Sequence, residues 1–161
     1  MSVAFDATVL VDFFNPKITG DRRAKLDDLV STLGKARTKI VIPTPALTEV
    51  LIHAGKAREE ILVTLTRKAA FEVAPFDVKA ATECSLLLEE AWSRSEKRAI
   101  TRTKFKFDWQ IVAIAATRRV TTIYSDDEDI SKAAAKAHIQ VVQIDDLALP
   151  ASAKQGKLNL S

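Results

Sequence analysis

The sequence predicts an α/β fold: one domain with a central, mostly parallel β-sheet flanked by helices on both faces. Three observations carry this. Short apolar, strand-like runs alternate with longer stretches of helical period along the chain. At 161 residues the chain suits one domain and leaves little room for a second. Its composition is globular: 47% of residues are hydrophobic, 28% are charged, and there are only four glycines and five prolines.

Taken in order, Val3–Phe5 reads as a short buried strand and Val9–Phe14 as the opening of a helix. Pro16 to Gly20 is a loop. Arg22–Leu33 has helical spacing (Leu26, Leu29, Val30, Leu33), with Gly34 where a C-cap belongs. Lys39–Ile42 is a second strand. Thr44 as N-cap and Pro45 at the first helical position start a helix that Gly55 ends. A helix over Arg58–Ala69 leads to a strand at Phe71–Pro75. Asp77 caps a helix over 78–93, whose apolar face is read as Val78, Ala81, Leu88 and Trp92. Asp108–Arg118 is helical, with Ile111, Val112, Ile114, Ala115 and Ala116 as a broad apolar face. Thr121–Tyr124 is a strand, Ile130–Ala137 an Ala-rich helix, and Ile139–Ile144 the last core strand. The domain is expected over residues 1–147, with a small, polar tail over 148–161.

Several classes are excluded. No run of about 18 apolar residues exists, so no membrane-spanning helix is expected. A lone cysteine, Cys84, makes no internal disulfide and suits a reducing, cytoplasmic setting; no signal peptide is visible. His53, His138 and Cys84 make no zinc site at their spacings, and there is no phosphate-cradling glycine motif.

The informative residues are acids at element boundaries. Asp6 follows the first strand, and Asp127 follows the strand Thr121–Tyr124 amid Asp126, Glu128 and Asp129. Both sit at carboxyl ends, where open parallel sheets form their sites. Asp108 opens an apolar helix, and Glu49 interrupts another between Leu47 and Val50. Each has a plainer reading alone: Asp6 and Asp108 as N-caps, Glu49 as a solvated helix residue, 126–129 as a solvated helix start. Together they carry more. Two carboxylates about 4 Å apart repel by roughly 4 kcal/mol at an effective dielectric of 20. A gathering of three or four calls for a hard divalent cation, and such a site acts on phosphodiesters.

Net charge is +3, weak evidence by itself for an anionic partner. Its distribution says more. Arg94, Lys97, Arg98, Arg102, Lys104 and Lys106 lie just before Asp108, with Phe105, Phe107 and Trp109 in or beside the segment. Arg102, Lys104 and Lys106 are candidates for substrate phosphates, and the aromatics for stacking on unpaired bases.

These residues resemble a known family, the PIN-domain nucleases, and in size and layout the VapC-type toxins among them. Phe5-Asp6-Ala7-Thr8-Val9-Leu10 resembles the family's strand-end D-[TS]-[NS]-x-L signature. Pro43 through Leu51 resembles the segment with the family's Glu, which falls on Glu49. Asp108 through Ala116 resembles its D-x-x-I-A-A helix, and Tyr124 through Ile130 its T-x-D-x-D-F segment. The last places Ser125 at the hydroxyl position, Asp127 at the fourth acid and Asp129 at the trailing one. Ala7 and Thr8 depart from the usual residues, Asp126 stands where Asn is frequent, and Ile130 replaces an aromatic. The resemblance covers about residues 2–145. It implies Mg²⁺- or Mn²⁺-dependent cleavage of RNA by Asp6, Glu49, Asp108 and Asp127, with Thr8, Ser125, Asp126 and Asp129 in support. For the toxin branch it implies a homodimer neutralised by a small antitoxin protein. Three other readings stay open: a non-catalytic PIN-like module binding RNA or protein, a housekeeping RNA-processing nuclease, and a phosphohydrolase on another doubly wound fold.

Overall fold

The computed structural model describes residues 1–93 and 102–158. Five strands form one all-parallel sheet in the order β3-β2-β1-β4-β5. They are β1 (Ser2–Phe5), β2 (Lys39–Pro43), β3 (Phe71–Ala74), β4 (Thr122–Tyr124) and β5 (Gln140–Val142). The helices are α1 (Ala7–Phe14), α2 (Gly20–Lys35), α3 (Thr44–His53), α4 (Arg58–Arg67), α5 (Val78–Ser93), α6 (Arg102–Thr117), α7 (Glu128–Lys136) and α8 (Ala151–Leu158). Consecutive strand residues point to opposite faces, yet Ala4, Phe5, Ile40, Val41 and Ile42 are all buried. Helices therefore cover both faces, as parallel sheets require. None of the described helices is long and apolar enough to cross a membrane.

The strand order reverses between β1 and β4. From β1 the chain builds outward to β2 and β3, then returns to the other side for β4 and β5. That reversal opens a crevice at the carboxyl edge. Phe5 is in register with Tyr124, so Asp6 and Ser125 emerge side by side. The Asp6 N–H closes the ladder on the Tyr124 carbonyl at 3.2 Å.

Three helices return to the sheet through the same turn, and none uses glycine. Arg37, Arg119 and His138 take the left-handed conformation, with φ of 53°, 54° and 55°. In each turn the next N–H reaches back to the helix: Thr38 to Leu33, Val120 to Ala115, Ile139 to Ala134, at 2.9 to 3.0 Å. This is the Schellman pairing. Gly34, the expected C-cap, lies instead inside α2, whose cap is Ala36. Thr44 is likewise the first helical residue of α3 and not its cap, which is Pro43.

Two helix faces also differ from expectation. Asp108 does not open its helix: α6 starts at Arg102. On α5 the buried stripe is Ala80, Cys84, Leu87 and Ala91, while Val78 is 85% exposed and Ala81 is exposed. α5 packs on α6. The side chain of Trp92 lies outside the described residues.

Arg23 closes α1 from a distance. Its guanidinium donates to the carbonyls of Asp12, Phe13, Asn15 and Ile18 at 2.9 to 3.2 Å, and to Asp27. The Asp12 and Phe13 carbonyls belong to the end of α1, where helical partners run out. Arg23→Ala is expected to lower the unfolding free energy by about 2–4 kcal/mol, read from urea denaturation. A loss below about 0.5 kcal/mol is the ordinary effect of a surface change and contradicts this role.

Candidate active site

The carboxyl edge gathers the acids. Asp6, Thr8, Glu49, Phe107, Asp108 and Asp127 line one cleft of about 120 Å³, floored by Ala7, Ile111 and Ile130. Each acid arrives from a different element. Asp6 caps α1 directly after β1. Asp127 caps α7 three residues after Tyr124 ends β4. Glu49 sits on α3, which follows β2. α6 runs antiparallel to the strands, and its Asp108 lies nine residues before Thr117, roughly 14 Å up the helix. That rise carries it from the amino to the carboxyl edge.

Asp6 is the most constrained of them, at 2% exposure. The Thr8 hydroxyl donates to its Oδ1 at 2.7 Å and the Val9 N–H to the same oxygen at 3.2 Å. The Ser125 hydroxyl, fully buried, donates to Oδ2 at 2.6 Å. Burial pushes its pKa up from the ordinary 3.8 to about 6. The bonds from Ser125, Thr8 and Val9 oppose that rise, and the charge of Asp127 adds to it.

Asp108, Asp127 and Asp129 each offer a carboxylate oxygen within 4.8 Å of the others. Ligands of an octahedral Mg²⁺ at 2.0–2.1 Å lie roughly 3–4 Å apart, so this donor set fits a hard cation. Asp108 is 8% exposed. Asp127 and Asp129 are tied together, since Asp127 Oδ1 accepts the Asp129 N–H at 2.8 Å. Lys132 pairs with the same Asp129 side chain at 3.2 Å. Asp6, buried, and Glu49, exposed, line the same cleft. Of the two caps read from sequence among these acids, Asp6 is one and lines the cleft as well, whereas Asp108 lies within α6 and is not its cap.

The row Asp126-Asp127-Glu128-Asp129 is sorted by its surroundings. Asp126 turns away from the cleft: its Oδ2 pairs with Arg22 and its Oδ1 accepts the Ile144 N–H at 3.2 Å. Its own N–H donates to Thr8 Oγ1 at 3.1 Å. Ser125 Oγ accepts the Asp127 N–H at 3.0 Å. Thr8 and Ser125 thus brace both Asp6 and the loop after β4. Sequence reasoning missed Arg22, whose partners Asp12, Asp126 and Asp145 are joined only by the tertiary fold.

Among the aromatics, Phe107 stands at the cleft, 42% exposed. Trp109 is 5% exposed and belongs to the core, so it presents no face for a base. Phe13, Phe14 and Leu51 pack partly buried against the core. His53 lies outside the cleft lining, its Nδ1 2.8 Å from the Glu49 carbonyl. The substrate candidates Arg102, Lys104 and Lys106, with Phe105, lie outside the residues whose side chains are described, as do Arg94, Lys97 and Arg98.

Residues 3–136 match the PIN domain family model. No curated protein matches the sequence. Several crystal structures share the fold, these three among them. VapBC2 from Rickettsia felis, bound to a DNA fragment from its promoter, has a TM-score of 0.64 at 15% identity, over 89% of this chain and 98% of that one. VapC20 from Mycobacterium tuberculosis, a sarcin–ricin loop cleaving toxin, gives 0.57 at 12%, over 81% and 94%. DNA-bound VapBC from Salmonella typhimurium gives 0.60 at 15%, over 89% and 98%. At these identities the likeness is one of fold.

Proposed function

The chain belongs to the PIN domain family, and we propose on that footing that it is a divalent-metal-dependent endoribonuclease. The observation that carries this reading is the grouping of Asp108, Asp127 and Asp129, the first two of which line one cleft with Asp6 and Glu49. Asp6, Asp108 and Asp127 would hold Mg²⁺ or Mn²⁺, with Asp129 and Glu49 beside them to complete the donor set. A cation there neutralises phosphate charge and acidifies water. The chain supplies the rest. Ser125 and Thr8 fix the Asp6 carboxylate, and the helix N-terminus of α7 steadies the charge on Asp127. Glu49, exposed at the cleft, is proposed to take a proton there.

The nucleic acid lies across the mouth, since a cleft of about 120 Å³ has room for an ion and a few waters but not a nucleotide. Phe107 offers its ring to an unpaired base beside the cut. Lys104, Lys106 and Arg102 are proposed to hold flanking phosphates. The nuclease unit is residues 1–147, with 148–161 appended. Its fold likeness to the VapC toxins supports a toxin role with an antitoxin partner; a homodimer, and a small antitoxin whose basic side chain enters the acidic cleft, are proposed with it. The buried thiol of Cys84 suits the cytoplasm.

The test incubates purified protein with short single-stranded RNA, with Mg²⁺ or Mn²⁺ and with a chelator. Cleavage that needs the cation is expected. Cleavage undiminished by chelator, or none at saturating Mn²⁺, sinks the reading. Phe107→Ala is expected to lower cleavage of single-stranded RNA by about tenfold, as one lost stack of 1–3 kcal/mol would. An equal loss on a substrate abasic at the stacked position shows the ring does not stack.

A further inference from the structure

We propose that Arg22 is a positioning residue of this site, acting through Asp126 to aim Asp127 into the cleft. The inference rests on the nuclease reading and deepens it.

Arg22 lies in the first turn of α2 and joins three segments of the carboxyl edge. Its Nε and Nη2 meet Asp12 Oδ2 of α1 at 2.7 and 2.6 Å. Nη2 also pairs with Asp126 Oδ2, after β4. Nη1 reaches Asp145, after β5, at 3.2 Å, though that partner is largely exposed. Burial opposes the guanidinium charge, but the bonds to Asp126 and Asp12 outweigh it and hold the pKa above its ordinary value. The cation is permanent at any working pH.

The loop it holds is difficult to order otherwise. Four acids in sequence repel one another, and the local bonds of Asp127 to Ser125 and Asp129 leave Asp126 to be held from elsewhere. Asp127 has extended backbone, φ −89° and ψ 120°, so consecutive side chains leave on opposite sides. Drawing Asp126 toward Arg22 therefore turns Asp127 the other way. The clamp is complete on both flanks. Asp126 is fixed through its carboxylate by Arg22 and Ile144 and through its N–H by Thr8. Ser125 and Asp127, its neighbours, face Asp6. Arg22 thus reaches the reacting groups without lining the cleft.

The experiment measures Mn²⁺ binding by calorimetric titration, and RNA cleavage as a function of Mn²⁺, for the full-length wild type, Arg22→Ala, Arg22→Lys and Asp126→Asn. Partners behind metal ligands are worth 10–100-fold in affinity. Arg22→Ala and Asp126→Asn are expected to raise the half-saturating Mn²⁺ concentration about tenfold or more, with the rate recovering at excess Mn²⁺. Arg22→Lys, which keeps the charge and loses the fork, falls between. A purely structural role lowers the rate equally at every Mn²⁺ concentration, and that result overturns the proposal. So does an unchanged half-saturation in Asp126→Asn, the variant that counts should Arg22→Ala fail to fold. A wild type that neither binds Mn²⁺ nor cleaves RNA overturns the nuclease reading, and this inference with it.

Discussion

Asp108→Asn is expected to abolish cleavage and, in metal-free protein, to raise the unfolding temperature. The two effects have one cause. Three carboxylate oxygens within 4.8 Å repel one another, each pair by roughly 4 kcal/mol at 4 Å and an effective dielectric of 20. Water at the open side and the Lys132 pair with Asp129 screen much of this. Replacing one carboxylate by an amide of the same shape removes two of the three repulsions. A net gain of about 1–2 kcal/mol is reasonable, or roughly 2–8 °C for a chain of this size. The same change removes a ligand and the charge that holds the cation. Losing several kcal/mol of electrostatic stabilisation lowers cleavage by about 10³-fold or more. Asp127→Asn should behave alike, because Asn still caps α7. Paired melting curves and RNA cleavage assays check both. A variant that melts earlier while retaining Mn²⁺-dependent cleavage contradicts the cluster's role, since the repulsion would then not be there to relieve.

Saturating Mn²⁺ sharpens that contrast. The wild type gains stability by mass action, about 2.7 kcal/mol at a hundredfold excess over the dissociation constant, and Asp108→Asn does not. Their order of stability should therefore reverse between chelator and Mn²⁺.

The acids were legible in sequence because they interrupt apolar segments at strand ends. Asp6 after Val3–Phe5 and Asp127 after Thr121–Tyr124 are placed by the rule that parallel sheets present their sites at carboxyl edges. Which acid of 126–129 faces the cleft was not legible. That is decided by Arg22, 104 residues away from Asp126. Asp129 joining Asp108 and Asp127 depends on the local turn that ties its N–H to Asp127. The same limit appears in the fold. Period alone marks α5 as a helix, but the face it buries follows from packing on α6, which takes in Ala80, Cys84, Leu87 and Ala91, leaves Leu88 at its border and Val78 outside it. Gly34 drew the C-cap because glycine tolerates positive φ. The fold places that burden on Arg37, Arg119 and His138 instead, three residues with no local signal for it. α6 begins earlier than Asp108 because Lys and Arg are good helix formers, and a basic run is as compatible with a helix as with a loop.

Asp6 gives the second large effect, and its sign differs from that of an ordinary native carboxylate. Its pKa is about 6 in the folded protein against 3.8 ordinarily. Between those values the unfolded chain has released the proton and the folded protein retains it. Metal-free stability should therefore fall as pH rises from about 4 to about 6, with Asp6 contributing roughly 3 kcal/mol to the loss. Above about 6 its contribution is constant. Bound Mn²⁺ offsets this, because it favours the ionised form, so Mn²⁺ affinity and cleavage should climb through the same window. Ser125→Ala tests the origin of the behaviour. It removes a hydroxyl that donates to Asp6 at 2.6 Å and accepts from Asp127, leaving a buried carboxylate oxygen without that donor at a cost of about 1–3 kcal/mol. The Ser125 bond holds the Asp6 pKa down, so its loss should move the midpoint of Mn²⁺ binding to higher pH. Cleavage by the variant should then suffer more at pH 6 than at pH 8. Urea denaturation and Mn²⁺ titration across pH 4–8 measure both. A midpoint that stays in place in Ser125→Ala shows that another group governs the transition, and that the buried Asp6 carboxylate is not what makes the site sensitive to pH.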